Sequence, residues 1–181
     1  ARVGPVDGRG PVRASRHVAE RYVLVLGGGG SRLKAAYRLK RESDAPQRVR
    51  EFVSAFNALL NKHSDRPRYR VGALHTDNAG EFLSKEFQEF LCEESIAQTT
   101  CPPHVHQLNG VAERAIRTIM EVVRASLLSG NIPVSFWPEA IDHAVDILNR
   151  TSGPPNDNVS SYERVTGKKP KVMGILPLGC R

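Results

Sequence analysis

The spacing of apolar positions changes several times along the 181-residue chain, and each change predicts an element. Arg21-Tyr22-Val23-Leu24-Val25-Leu26 and Leu33-Lys34-Ala35-Ala36-Tyr37-Arg38-Leu39 flank Gly27-Gly28-Gly29-Gly30-Ser31. Two apolar runs around a glycine-rich turn predict a β-hairpin. Ser43 or Asp44 then caps a helix whose apolar positions, Val49, Phe52, Val53, Phe56, Leu59 and Leu60, are spaced by three and four. Tyr69 to Leu74 predicts a short strand running into His75-Thr76-Asp77. Ser84 opens a second helix with Phe87, Phe90 and Leu91 inward, and Ile96 to Thr99 predicts a further strand. Cys101 to Asn109 reads as a proline-containing loop. A long helix follows, with a stripe at Ala112, Ile116, Ile119, Val123 and Leu127, and it breaks at Ser129-Gly130. The next helix, from about Val134 to Arg150, buries Phe136, Trp137, Ala140, Ile141, Ala144, Val145 and Leu148. Beyond Thr151 the chain turns to Gly, Pro, Asn and Ser with little periodicity. Early strands, then strands alternating with helices, predict a mixed α/β sheet with helices on its faces.

Composition narrows the class. One domain is the default for this length, and 40% hydrophobic with 25% charged residues suffices for one core. Apolar runs are too short for a membrane span. The N-terminal Ala-Arg-Val-Gly-Pro-Val lacks a signal-peptide core. Without an initiator Met and ending at Gly179-Cys180-Arg181, the chain reads as part of something longer. Three cysteines, at 92, 101 and 180, argue against a disulfide scaffold and for a reducing compartment. Charge is lopsided: residues 1–70 carry +10 and residues 71–181 carry −3, within the net +7. That excess favours a polyanionic partner, nucleic acid first.

Three acids stand out. Asp77 follows a strand, and active sites of α/β sheets form beyond strand ends. Glu113, in Gln107-Leu108-Asn109-Gly110-Val111-Ala112-Glu113-Arg114, lies one position from the apolar stripe, where burial of a carboxylate is costly unless it is paired or ligated. Asp7 is in Asp7-Gly8-Arg9-Gly10-Pro11, before the hairpin. Singly, an Asp after a strand is a turn or cap residue and a Glu in a helix's first turn is a dipole partner. Together they are the oxygen donors that Mg²⁺ takes. Two such ions, about 3.5–4 Å apart, clamp the attacking and leaving oxygens of a phosphoryl displacement.

Asp77 and Glu113 have 35 residues between them. With Asp-x-x-Gly-Pro upstream, Thr-Asp-Asn-x-Gly-Glu-Phe around Asp77 and Gln-x-Asn-Gly-Val-Ala-Glu-Arg around Glu113, the sequence resembles the integrase catalytic core of copia-type long-terminal-repeat retrotransposons. Ser135-Phe136-Trp137-Pro138-Glu139-Ala140 with Leu148-Asn149-Arg150, and Ser161-Tyr162-Glu163 with Thr166-Gly167-Lys168-Lys169-Pro170, extend the likeness over nearly the whole chain. The resemblance implies an RNase-H-like fold, a five-stranded mixed sheet flanked by helices. It implies a core over residues 1–150 and a post-core tail over 151–181. Asp7, Asp77 and Glu113 map to the family's catalytic metal ligands, with two Mg²⁺ or Mn²⁺ ions expected. The implied reactions are trimming of the element's DNA ends by water and attack of the freed 3′-hydroxyl on target DNA, in a homo-oligomer found in a cytoplasmic particle and the nucleus.

Arg117 and Arg124 follow Glu113 at offsets of four and eleven, nearly on one helical line. Such an edge suits a site that grips phosphate, and a solvated Glu–Arg pair at i,i+4 has equal standing. Gln107, Asn109 and Arg114 are further candidate DNA contacts. Relatives carry an acidic and aromatic turn where this chain has Gly27–Gly30, which matches no phosphate-loop pattern. His104-Val105-His106 lacks the further ligands of a zinc site. His143 falls on the polar side of its helix. Two rival readings stay open: a catalytically silent, integrase-derived nucleic-acid-binding domain, and an RNase-H-like nuclease.

Overall fold

The computed structural model describes residues 2–5, 21–62, 70–76, 79–100, 106–151 and 158–180, with side chains described at all of these except 2–5, 106–109 and 111. Strands β1 (Arg2–Pro5), β2 (Tyr22–Gly27) and β3 (Lys34–Leu39) form an antiparallel sheet in the order β1-β2-β3. Helix α1 (Ala45–Lys62) follows a 3-10 turn at Glu42–Asp44. Strands β4 (Ala73–Thr76) and β5 (Ala97–Thr100) pair in parallel across helix α2 (Lys85–Glu93). Helices α3 (His106–Ser129), α4 (Trp137–Arg150) and α5 (Ser161–Thr166) complete the described elements.

Strands β2, β3 and β5 fall within a residue of where periodicity places them, the strand expected over Tyr69–Leu74 lies at Ala73–Thr76, and β1 has no periodic signal; the single five-stranded sheet is not what the described residues show. Their hydrogen bonds make a three-stranded sheet and a separate two-stranded one, with no ladder joining the two among the described residues. Periodicity tells which residues form strands; pairing partners are a tertiary matter.

Val23-Leu24-Val25-Leu26 shows why a continuous apolar run makes a central strand. All four are buried, and the two-residue period sends them to opposite faces. Leu24 and Leu26 join Val49, Phe52 and Val53 of α1 and Phe87 and Leu91 of α2, together with Leu74 of β4 and Ile96. Both sheets therefore contribute to this one core. Val23 and Val25 face Ile119, Val123 and Leu127 of α3 and Trp137, Ala140, Ile141 and Ala144 of α4. Of the predicted stripes, these seven helix residues are buried, whereas Ala112, Ile116, Phe136, Val145 and Leu148 are only partly so.

The hairpin needs no glycine for its conformation. The left-handed residue is Arg32, at φ 58°, and none of Gly27–Gly30 has a positive φ. The turn closes through Gly28 N–H to the Leu33 carbonyl and Arg32 N–H to the Gly28 carbonyl, both 2.8 Å. A Cβ at Gly29 or Gly30 would meet nothing within 4 Å, whereas one at Gly28 would run into Ser31 Oγ. Gly29→Ala and Gly30→Ala should each stabilise the fold by about 0.4–1 kcal/mol, by restricting the unfolded chain. The check is a higher urea midpoint at unchanged m.

The Leu148-Asn149-Arg150 segment ties α4 to its surroundings. Asn149 Oδ1 accepts the Lys34 N–H at 2.8 Å and Asn149 Nδ2 donates to the Lys34 carbonyl at 2.7 Å. One amide thus completes the backbone pairing at the start of edge strand β3, where open groups would otherwise invite another strand. Arg150 pairs with Asp146 at 2.8 Å and donates to the Lys171 carbonyl at 3.2 Å. Asn149→Ala should cost about 1–3 kcal/mol, because both Lys34 groups lose their partner in a half-buried site. Asn149→Asp, which keeps only the acceptor, should fall between in chemical denaturation.

The segment beyond Thr151 contains a helix that periodicity does not reveal. Ser160 Oγ accepts the Glu163 N–H at 3.1 Å, and Gly167, at φ 68°, ends α5 with its N–H on the Glu163 carbonyl at 2.7 Å. Ser-x-x-Glu followed by Gly is the cap chemistry of a short helix, and six residues are too few to display a period. α5 packs on α1 and α4, and Leu178 packs against the α3–α4 core.

Candidate active site

The long helix starts earlier than expected. His106–Asn109, assigned to a loop from the sequence, form the first turn of α3, since a proline-containing approach does not forbid a helix from starting after its last Pro. Glu113 is thus the eighth residue of α3. It lies beyond the first turn, where the helix dipole acts, so the dipole-partner reading loses its basis. Glu113 is also exposed, so the burial cost expected of it at the border of the apolar stripe does not arise.

Arg114, Arg117 and Arg124 are exposed on the same helix, outside the buried stripe of Ile119, Val123 and Leu127. Offsets of four and eleven put Arg117 and Arg124 within about 40° of Glu113 around the axis. A solvent-facing edge with one carboxylate and a line of guanidiniums can bind a cation and phosphate side by side. Gly110 shapes its start: a Cβ there would be 3.3 Å from Arg114 Nη1, so the glycine leaves room for the guanidinium to lie back along the helix. Gln107 and Asn109 have their backbones in α3, and their side chains lie outside the described residues, as do Asp7, Asp77, His104 and Cys101.

What the structure does describe is the approach to Asp77. Thr76, the last residue of β4, is fully buried. Its Oγ1 accepts a hydrogen bond from Gln98 Nε2 at 2.9 Å. Gln98 Nε2 also donates to the Phe82 carbonyl at 3.1 Å, and Gln88 Nε2 donates to the same carbonyl at 3.1 Å and to Gln98 Oε1 at 2.5 Å. On the other face, His75 Nδ1 is 2.9 Å from Thr99 Oγ1. Sequence reasoning missed Gln88 and Gln98. The available signal was a lone amide inside the Ile96–Thr99 strand.

Among the described residues no three His, Cys, Asp or Glu side chains come together to hold a metal. Glu113 is the one member of the predicted triad within that set. The donor chemistry of the three candidates fits a hard divalent cation, since carboxylates supply oxygen only. A cleft of about 270 Å³ lined by Ala36, Tyr37, Arg38, Arg48 and Asp142 contains none of the three acids. There Arg38 pairs with Asp142 at 3.3 Å, and burial pushes the Asp142 carboxyl up from its ordinary range against that guanidinium's pull. His143 between Asp142 and Asp146 is half-buried, more so than its expected place on a solvated face.

No family model matches the chain. It is 33% identical over 173 residues, 95% of its length, to the retrovirus-related Pol polyprotein from transposon TNT 1-94 of Nicotiana tabacum. It is 29% identical over 160 residues, 88% of its length, to that from transposon RE2 of Arabidopsis thaliana. The chain is a homologue of copia-type transposon Pol polyproteins. It spans only 12% and 10% of those two relatives' lengths. Solved structures show the fold of this part of Pol. The HTLV-2 integrase catalytic core, solved with magnesium in a trimeric form, superposes with a TM-score of 0.58 at 24% identity, over 80% of this chain and 84% of that one. A chain of the simian T-cell lymphotropic virus intasome in complex with PP2A regulatory subunit B56 gamma gives 0.63 at 19% identity, over 91% and 59%. This Pol segment therefore has the mixed α/β fold of integrase catalytic cores. Within it, α3 is the helix that carries the Glu of the predicted triad, and β4 is the strand that leads into its second Asp.

No helix among the described residues of this Pol segment is long and apolar enough to cross a membrane.

Proposed function

We propose that this integrase-like core is a metal-dependent polynucleotidyl transferase that processes the 3′ ends of retroelement DNA and joins them to target DNA. The observation that carries the reading is Glu113, exposed on the guanidinium-bearing edge of α3 and separated by 35 residues from an Asp that directly follows the buried end of β4. In this reading the two sheets belong to one RNase-H-like five-stranded sheet. Asp7, Asp77 and Glu113 hold two Mg²⁺ or Mn²⁺ ions. When bound, the ions supply charge stabilisation for in-line displacement at phosphorus. Arg117 and Arg124 bind DNA phosphates and set the backbone's path across the carboxylates, and Arg114, Gln107 and Asn109 contact the DNA near the helix start. In the first reaction a water oxygen bonds to phosphorus as the strand's 3′ oxygen leaves. In the second, the freed 3′-hydroxyl attacks a target phosphodiester, and one P–O bond replaces another. The core acts as a homo-oligomer, as the HTLV-2 core solved in trimeric and dimeric forms suggests.

Calorimetric titration with Mn²⁺ tests the metal set. Weak binding is expected, with most of the heat lost in Asp77→Asn. Unchanged binding in that variant would remove Asp77 from the site.

A further inference from the structure

We propose that Gln98 is a positioning residue for the acid site: its side-chain amide, oriented by Gln88, anchors Thr76 at the end of β4 and so sets where the chain enters Asp77. The inference rests on Asp77 being a metal ligand, as proposed above. β4 is four residues long, and its ladder to β5 pairs Leu74 with Gln98 and Thr76 with Thr100. Residues 74, 76, 98 and 100 share one sheet face, so Gln98 lies diagonal to Thr76, within reach of a long side chain. There it makes the 2.9 Å bond to Thr76 Oγ1.

The amide can face only one way. Gln98 Nε2 spends its two hydrogens on Thr76 Oγ1 and the Phe82 carbonyl, while Gln98 Oε1 accepts from Gln88. A flipped amide would set two acceptors, Gln98 Oε1 and the Phe82 carbonyl, against each other and turn Nε2 toward the Gln88 donor. Gln88 also donates to the Phe82 carbonyl, so both lone pairs of that oxygen are engaged. Three elements, β4, β5 and the turn before α2, thus meet on one amide. Thr76 is the fully buried member, and its side chain cannot rotate without leaving Gln98 Nε2 with one hydrogen unpaired. The strand end is held by a side chain as well as by its backbone, which matters for a residue whose carboxylate must meet two others to a fraction of an ångström.

The test separates the hydroxyl from packing. The full chain is titrated with Mn²⁺, free metal is followed by electron paramagnetic resonance, and metal-free thermal unfolding is recorded for each variant. Thr76→Val keeps the shape and loses the acceptor; Thr76→Ser keeps the acceptor and loses the methyl. Thr76→Val and Gln98→Leu should each weaken Mn²⁺ binding about 10-fold, the lower end of the effect of groups that orient metal ligands. Thr76→Ser should bind like the wild type, and the double variant Thr76→Val/Gln98→Leu should bind no more weakly than either single one. Should Gln98→Leu fail to fold, Gln88→Ala, at an exposed position, should show a smaller loss of the same kind. Wild-type affinity in Thr76→Val, or a greater loss in Thr76→Ser than in Thr76→Val, overturns the positioning role while leaving the metal site standing. Wild-type protein whose Mn²⁺ binding is absent, or is unaffected by Glu113→Gln, overturns the metal reading and this inference with it.

Discussion

Glu113→Gln should abolish strand transfer, lowering it by several orders of magnitude, while DNA binding persists or strengthens slightly. The change preserves side-chain length and costs α3 little, since Glu and Gln have nearly equal helix propensity. Glu113 is exposed at the edge of the stripe formed by the buried Ile119, Val123 and Leu127, so the substitution takes no buried side chain out of the core and the fold should survive. What goes is one of three anions. In the proposed site its loss removes a ligand that an amide replaces poorly for a hard cation, and with it the charge stabilisation that the proposed displacement needs. The same lost charge lies beside Arg117 and Arg124, so phosphate sees a more positive helix edge and affinity holds or rises. Strand transfer and its reversal, disintegration, measured beside filter binding of the same DNA, check both halves. A silent descendant would show no wild-type transfer, and its Glu113→Gln variant would differ only in affinity. Transfer that survives the substitution would mean that other residues hold the ions. A stand-alone nuclease would cleave DNA in a Glu113-dependent way without ever joining ends.

Trp137→Ala should destabilise the protein by about 3–5 kcal/mol, a large part of the usual margin of a domain this size. Trp137 is 1% exposed and is the largest fully buried side chain. It enters the core at the first residue of α4, against the face of β2 where Val23 and Val25 lie. Trp137 shares one buried cluster with Ala140, Ile141, Ala144 and Val123, so the lost contacts and the cavity left behind both count. Trp137 Nε1 has no hydrogen-bond partner among the described residues. The indole therefore contributes through apolar area alone, and Trp137→Phe should lose distinctly less than Trp137→Ala, the shortfall being volume only. Urea unfolding of the three proteins checks the order. A Trp137→Phe loss as large as that of Trp137→Ala would mean that the indole N–H bonds to something in the remaining residues.

The elements of this fold were legible because their periods are long or clean. α1, α3 and α4 each repeat an apolar stripe over three or more turns, and Val23–Leu26 has the unbroken apolar character of a strand covered on both faces. The candidate acids were named from motif spacing and not from any single residue, and two of the three lie outside the described residues. The Gly27–Gly30 run reads as a hairpin turn and forms one, with Arg32 as the turn's left-handed residue and the glycines conformationally ordinary.

Other features depended on contacts between residues far apart in the chain. Asn149 and Lys34 are 115 positions apart, and no local rule foresees that one amide will finish the edge of β3. The short helix α5 is specified by its caps and by packing against α1 and α4, with too few residues for a period. Amphipathic spacing placed Glu113 at the edge of a buried stripe; whether that edge is covered depends on how α4 and the sheet pack against α3, and the carboxylate is left in solvent. Gln98 shows the same division. A polar residue in a short strand has no meaning in one dimension, and it becomes a clamp on Thr76 only when parallel pairing of β4 with β5 sets the two on one face. Period and motif are properties of neighbours along the chain, so the sequence alone determined the elements and the candidate acids. Pairing, burial and the closing of hydrogen-bond networks are properties of neighbours in space, and those only the tertiary structure decided.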